Sequence, residues 1–227
     1  MGVHRYNYTK AETPRVLIDL FNGIGNKSYE AYIRKIDDTT VEGYRFVNGW
    51  APQHKVFFYA KFNQPIQSLD VFHLNTPAGT DELQGRDVKA VATFKDGVKE
   101  LLVKVAISSV SCTNAKLNLE KEMTGWNFDN VHQVAIQKWN DVLSRIEIEG
   151  TPRQKTIFYT AMYHAFIAPN LYCDVNGDFR GIDDKVYRNN KFKNYTTLSL
   201  WDTYRTLHPL FTIIARKEVP DMMLSLI

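Results

Sequence analysis

Apolar and polar residues alternate with period two along much of the first hundred residues, the pattern of strands with one buried face. The candidate strands are Val3 to Tyr8, Val16 to Leu20, Tyr29 to Ile36, Val41 to Phe46, Val56 to Phe62, Leu69 to Leu74, Val88 to Phe94 and Leu101 to Ile107. Asn22-Gly23-Ile24-Gly25-Asn26 reads as a loop. Asp37-Asp38-Thr39 and Lys95-Asp96-Gly97 read as hairpin turns. Repeated strands with no helix between them predict an antiparallel β-sandwich.

The period then changes. Ser111 to Met123 predicts a short helix ended by Gly125. From Asn127 to Ile148 the apolar residues Phe128, Val131, Val134, Ala135, Trp139, Val142, Leu143 and Ile146 fall in steps of three and four. That predicts an amphipathic helix of about six turns, closed by Gly150. Thr151-Pro152-Arg153-Gln154 carries the capping-box signal for a further helix through Phe166. Leu171 to Val175 and Asp178 to Ile182 predict a hairpin around Asn176-Gly177. Further helices are expected near Ser199 and Pro220.

The expected fold is α+β and multidomain. A β-sandwich over residues 1–108 is followed by a helical linker over 109–150 and helices over 151–227. Both ends look abrupt. Val3 to Tyr8 starts in mid-strand, and Asp221 to Ile227 stops on a helix's apolar face. The expectation is an excised piece of a larger protein; the alternative is a small protein whose last helix pairs with a partner. Leu207, Leu210, Phe211, Ile213 and Ile214 have few candidate partners in this chain, so self-association is expected.

Composition narrows the function only slightly. Lys+Arg 28 against Asp+Glu 25 gives a net charge of +3, with no dense basic run, which argues against a nucleic-acid partner. No apolar run is long enough for a membrane span, and Met1 to Lys10 hold no signal-peptide core. Aromatics make up 13% of the chain, which suits either carbohydrate contact or a sandwich core. Cys112 and Cys173 form no CxxC, and two free thiols fit better than a disulfide. The sequons at Asn7, Asn26 and Asn194 are short enough to arise by chance.

Reactive side chains are densest from Tyr195 to Leu210. With Ser199 as helix cap, Asp202 takes the third helical position, and Trp201, Arg205 and His208 share one face. A sugar could stack on the indole of Trp201 while its hydroxyls bridge Asp202 and Arg205. The same spacing also suits a core Trp201, a capping Asp202 and an Asp202–Arg205 ion pair. Asp174-Val175-Asn176-Gly177-Asp178 resembles the start of a calcium loop, but its glycine comes early and no bidentate Glu follows; a tight turn fits better. Asp183-Asp184 reads as a solvated acid pair, His164 as a core or interface residue, and Asn48-Gly49-Trp50 as a loop tip or sandwich closure.

Several segments occur in a telling order: Gly125-Trp126-Asn127-Phe128-Asp129, Trp139-Asn140, Leu143-Ser144-Arg145-Ile146, Phe158 to His164, Pro169, Asp174 with Asn176-Gly177, Phe179-Arg180-Gly181, and Ser199-Leu200-Trp201-Asp202-Thr203-Tyr204-Arg205-Thr206-Leu207-His208-Pro209-Leu210. This order resembles glycoside hydrolase family 92, the calcium-dependent exo-acting α-mannosidases best known for α-1,2 linkages. The resemblance implies a sandwich joined by a helical linker to an (α/α)6 barrel, truncated here after its first helices. It implies an inverting mechanism with a Glu acid, an Asp base and a calcium ion on the terminal mannose. No acid here matches those motifs, so the catalytic pair is expected beyond Ile227 and no metal ligand is assigned. Trp201, Asp202 and Arg205 match a segment that would line the terminal-mannose subsite. The implied partner is a mannose-containing glycan, and the implied location is secreted or periplasmic. A glycoside phosphorylase of similar architecture and a non-catalytic glycan-binding module are the alternative functions.

Overall fold

The computed structural model describes residues 1–9, 13–49 and 51–227, so Trp50 lies outside the described residues. The chain divides into two compact units, Met1–Phe128 with Arg180–Val186, and Asp129–Phe179 with Tyr187–Ile227.

The first unit is a two-sheet antiparallel sandwich. Its strands are β1 (Gly2–Asn7), β2 (Arg15–Asp19), β3 (Lys27–Asp37), β4 (Thr40–Asn48), β5 (His54–Phe62), β6 (Ile66–His73), β7 (Thr76–Pro77), β8 (Glu82–Gly85), β9 (Val88–Phe94) and β10 (Glu100–Ser108). One sheet runs β1-β10-β5-β4-β3-β8 and the other β2-β9-β6-β7. Alternate residues of each strand meet between the sheets, where Ile33, Val41, Val71, Val88 and Leu101 are buried. Phe62 of one sheet and Phe94 of the other lie with ring centroids 5.1 Å apart. Gly43 permits the close approach of β3 and β4, since a Cβ there would sit 2.0 Å from the Tyr32 carbonyl oxygen.

The turn at Asp37–Thr39 forms the expected β3–β4 hairpin, with Asp37 Oδ1 accepting from the Thr39 amide at 2.7 Å. Lys95-Asp96-Gly97 does not form a hairpin. It carries the chain from β9 in one sheet to β10 in the other, and Gly97 supplies a φ of 81° that either connection can use.

Helix α1 (Cys112–Glu122) packs on the outer face of the larger sheet, Ala115 and Leu119 meeting Tyr59 and Ala106. Ser111 Oγ caps it by accepting from the Asn114 amide at 3.1 Å. At its far end buried Lys104 donates to the Met123 carbonyl at 3.4 Å and lies 4.2 Å from the Trp126 ring centroid.

The second unit carries α2 (Phe128–Leu143), apart from that helix's first residue, and α3 (Pro152–Ala165). Helix α2 ends five residues before the expected Ile148. The chain turns at Ser144, and Arg145 then donates to the Ile214 carbonyl at 2.9 Å and to Glu218 at 2.7 Å. Trp139 and Tyr163 join α2 to α3 with ring centroids 4.6 Å apart. Thr151 and Gln154 form the expected capping box. His164, expected in a core or interface, is exposed.

The expected hairpin around Asn176-Gly177 is replaced by two short two-stranded sheets. β11 (Asn170–Leu171) pairs with β14 (Tyr195–Thr196), and β12 (Asp178–Arg180) pairs with β13 (Val186–Arg188). Asn176-Gly177 is still a tight turn, with Gly177 at φ 84° donating to the Asp174 carbonyl at 2.9 Å. Both cysteines are free thiols.

The chain closes with α4 (Leu200–Thr203), α5 (Leu207–Ile214) and α6 (Val219–Leu224). Phe211, expected to have few partners, is buried with Ala215 and Met222 and packs on Phe166; Ile213 is exposed.

Candidate functional site

Three anchors position the segment that carries Trp201, Asp202 and Arg205. Strand β14 pairs with β11 through Leu171↔Tyr195 and Asn170↔Thr196. The Tyr195 amide donates to Ser225 Oγ of α6 at 2.9 Å. Beyond the site, Phe211 seats α5 against Phe166 at 5.1 Å. Burial raises the Tyr195 hydroxyl pKa above its ordinary value, and Asp221 and Glu218 push it the same way.

The expected continuous helix from Ser199 is broken. Helix α4 is only four residues long, and α5 restarts at Leu207. Pro209 gives the reason. It has no amide hydrogen for the Arg205 carbonyl, and its ring would clash with that carbonyl four residues back. Proline is tolerated in the first turn of a new helix, which is where Pro209 sits in α5. The single face expected for Trp201, Arg205 and His208 therefore does not form.

Ser199 does not act as the expected side-chain cap. Its hydroxyl instead donates to Asp202 Oδ2 at 2.7 Å, while Thr203 Oγ1 donates to the Ser199 carbonyl at 2.9 Å. Among the described residues, the hydrogen bond to the Asp202 carboxylate is made through Oδ2 and not through Oδ1. Within this chain Trp201 is 89% exposed. Asp202 and Arg205 are both exposed, and Asp202 is held through the Ser199 hydroxyl rather than by an ion pair with Arg205. Trp201, Asp202 and Arg205 thus present an aromatic face, a carboxylate oxygen and a guanidinium to solvent within five residues.

Behind this surface lies an apolar hollow of about 480 Å³, walled by Leu198, Leu200, Tyr204, His208, Met222 and Met223 among others. His208, expected beside Trp201, stands in this wall, with Nε2 buried and unpartnered. The sequence did not reveal the hollow, because it depends on the break before α5 and on contacts with α6.

The Asp174–Asp178 segment is no calcium loop here. The Arg188 guanidinium grips Asp178 at 2.6 and 3.0 Å, and Asn176 Nδ2 donates to it at 2.8 Å. Among the described residues no three His, Cys, Asp or Glu side chains converge to hold a metal ion, so the residues present do not fit a calcium site. Among the described residues no helix is long and apolar enough to cross a membrane.

The glycosyl hydrolase family 92 N-terminal domain matches residues 1–108, and the family's catalytic domain matches residues 114–227. The chain belongs to glycosyl hydrolase family 92. A family 92 α-mannosidase from Bacteroides thetaiotaomicron superposes with a TM-score of 0.91 at 31% identity, over 98% of this chain. The same relative has been solved in complex with mannoimidazole. A family 92 inverting mannosidase from that organism superposes at 0.87 with 22% identity, again over 98% of this chain. This family 92 chain spans 32% and 30% of the length of those two structures. No curated protein matches it.

Proposed function

We propose that this chain is part of an exo-acting α-mannosidase that hydrolyses terminal mannose from glycans, with Trp201, Asp202 and Arg205 holding the terminal sugar. The observation that carries this reading is the exposed Trp201 indole next in sequence to a carboxylate that, among the described residues, is held through Oδ2 alone. A pyranose presents a C–H face suited to an indole. Its adjacent hydroxyls suit a carboxylate acceptor and a guanidinium donor, and hydrogen bonds to charged groups are the stronger kind. The Ser199 hydroxyl holds Asp202 Oδ2, which orients the carboxylate and leaves Oδ1 for a sugar hydroxyl.

The family membership and the α-mannosidase relatives favour hydrolysis over phosphorolysis or plain glycan binding. The proposal extends to α-1,2 linkages, anomeric inversion, calcium assistance and a secreted or periplasmic location. Inversion is supported by the relative described as an inverting mannosidase. Calcium would polarise sugar hydroxyls, but no residue here fits that role, so this chain's part is to bind and orient the sugar.

The test uses a protein of the relatives' length that carries this chain. On α-1,2-mannobiose it should release mannose first as the β anomer, seen by NMR, and lose activity on chelation. Release of the α anomer first, phosphate-dependent cleavage, or no cleavage would contradict the reading.

A further inference from the structure

The step Asn-Gly occurs at Asn22, Asn48 and Asn176, and none of the three belongs to the proposed sugar site. Glycine has no Cβ to keep its amide nitrogen away from the preceding side chain, so at such a step that nitrogen can attack the asparagine Cγ. The attack puts negative charge on Oδ1, and the reaction completes only when Nδ2 departs. The fold therefore controls each site through what it bonds to the glycine nitrogen, to Oδ1 and to Nδ2.

The three sites differ at those atoms. Asn176 is held at both ends: Nδ2 donates to Asp178 Oδ2 at 2.8 Å, and Oδ1 accepts from the Asp178 amide at 3.0 Å. The Gly177 nitrogen, which would be the nucleophile, donates to the Asp174 carbonyl at 2.9 Å. Asn22 donates to both oxygens of Asp19, from Nδ2 at 2.6 Å and from its own backbone amide at 2.9 Å. That carboxylate grips the departing nitrogen and opposes negative charge on the neighbouring Oδ1. Asn48 is the reverse case. It ends β4, it is exposed together with Gly49, and its Oδ1 accepts from the Gln53 amide at 3.0 Å. Among the described residues, the hydrogen bond to the Asn48 side chain falls on the oxygen and not on the departing nitrogen. A backbone N–H aimed at an oxygen that becomes negative stabilises the oxyanion.

We propose that Asn48 is a site of spontaneous deamidation at the end of β4, and that the fold protects Asn22 and Asn176 from the same reaction. The Gly49 nitrogen bonds to Asn48 Cγ and gives up its proton to hydroxide from the solvent. The Cγ–Nδ2 bond breaks, and Nδ2 takes a proton from water and leaves as ammonia. Water then opens the cyclic imide at either carbonyl, which leaves an aspartyl or an isoaspartyl residue at position 48. Both products add one negative charge. The isoaspartyl product also lengthens the main chain by one carbon where β4 leaves the sheet.

Peptide mapping by mass spectrometry tests the site on the 227-residue chain held in mildly alkaline buffer. In the folded chain, position 48 should convert about tenfold or more faster than positions 22 and 176, the scale of one hydrogen bond placed for or against the reaction. Part of the product should be isoaspartyl, which only the cyclic imide supplies, and isoaspartyl methyltransferase labelling identifies it. In urea that unfolds the chain, the three rates should converge, because the bonds that distinguish the sites are then gone. Four results would overturn the proposal. Equal rates in the folded chain, or no conversion at position 48, would show that the Gln53 amide confers no advantage. A lead for position 48 that persists unchanged in urea would assign it to neighbours in sequence and not to the fold. A wholly aspartyl product would mean direct hydrolysis, without attack by Gly49.

Discussion

The Ser199 hydroxyl donates to Asp202 Oδ2 at 2.7 Å, a side-chain pair in a place where the spacing had suggested a helix cap. The pair fixes one oxygen of a carboxylate on an exposed turn and leaves the other open. Two stability measurements distinguish it from a true cap. Thr151→Ala removes one side of the α3 capping box and should cost about 1 kcal/mol in a denaturant melt. Ser199→Ala removes no backbone partner and should stay within about 0.5 kcal/mol of the unaltered chain. Equal losses at the two positions would show that Ser199 caps after all.

Gly43 sets the spacing between β3 and β4. A methyl group there would meet the Tyr32 carbonyl oxygen at 2.0 Å and the Phe58 ring at 2.9 Å. The carbonyl belongs to a paired strand and cannot move without breaking the ladder. Gly43→Ala should therefore destabilise the sandwich by about 3 kcal/mol or more, at or above the usual overpacking range. A melting curve close to that of the unaltered chain would contradict this reading of the strand pair.

Cys112 gives the sandwich a defined alkaline sensitivity. Its Sγ donates to the Gly43 carbonyl at 3.3 Å. Burial, aided by the Glu42 carboxylate, pushes the thiol from an ordinary 9.0 up to about 11. Below pH 9 the thiol is neutral both folded and unfolded and costs nothing. Between pH 9 and about 11 only the unfolded chain loses the proton, so stability falls as pH rises. Cys112→Ala should flatten that part of the pH–stability curve, and native Cys112 should resist alkylation at pH 8. A curve of the same slope in Cys112→Ala would show that other groups govern the range.

Substitution of Trp201 separates folding from the proposed sugar contact. It is 89% exposed, so Trp201→Ala should leave the melting temperature of this chain nearly unchanged, within about 0.5 kcal/mol. In an active protein of the relatives' length the same change should lower kcat/KM about tenfold or more, as expected for losing an aromatic platform under a sugar ring. A large stability loss with intact kinetics would return Trp201 to a packing role.

Much of the sandwich was legible because period-two alternation reports directly which face of a strand is buried. Ile33, Val41 and Phe62 could be read this way. Strand β8 was not, since Glu82-Leu83-Gln84-Gly85 offers a single large apolar residue. Gly97 misled because a positive φ marks a turn without saying whether the next strand joins the same sheet. At the site, the residue types of Trp201, Asp202 and Arg205 were readable, but their arrangement was not. Pro209 breaks the helix through a carbonyl four residues earlier, and extending the periodicity from Ser199 passed over that clash. The bond of Arg188 to Asp178 depends on the β12–β13 hairpin, and that of Arg180 to Ser109 on a stretch of chain 71 residues away, so no local pattern announces them.

The central claim is that Trp201, Asp202 and Arg205 hold a terminal mannose, and Asp202→Asn tests it most directly. Asparagine keeps the size of the side chain and can still accept the Ser199 hydroxyl, so the melting curve should stay within about 1 kcal/mol of the parent. The open Oδ1 loses its charge, and a hydrogen bond to a charged group contributes roughly 1.5–3 kcal/mol. The measurement is kcat/KM on α-1,2-mannobiose in a protein of the relatives' length, with the melting curve recorded beside it. The account predicts a fall of about tenfold or more with the fold intact. Unchanged kcat/KM in a stably folded Asp202→Asn protein would contradict it.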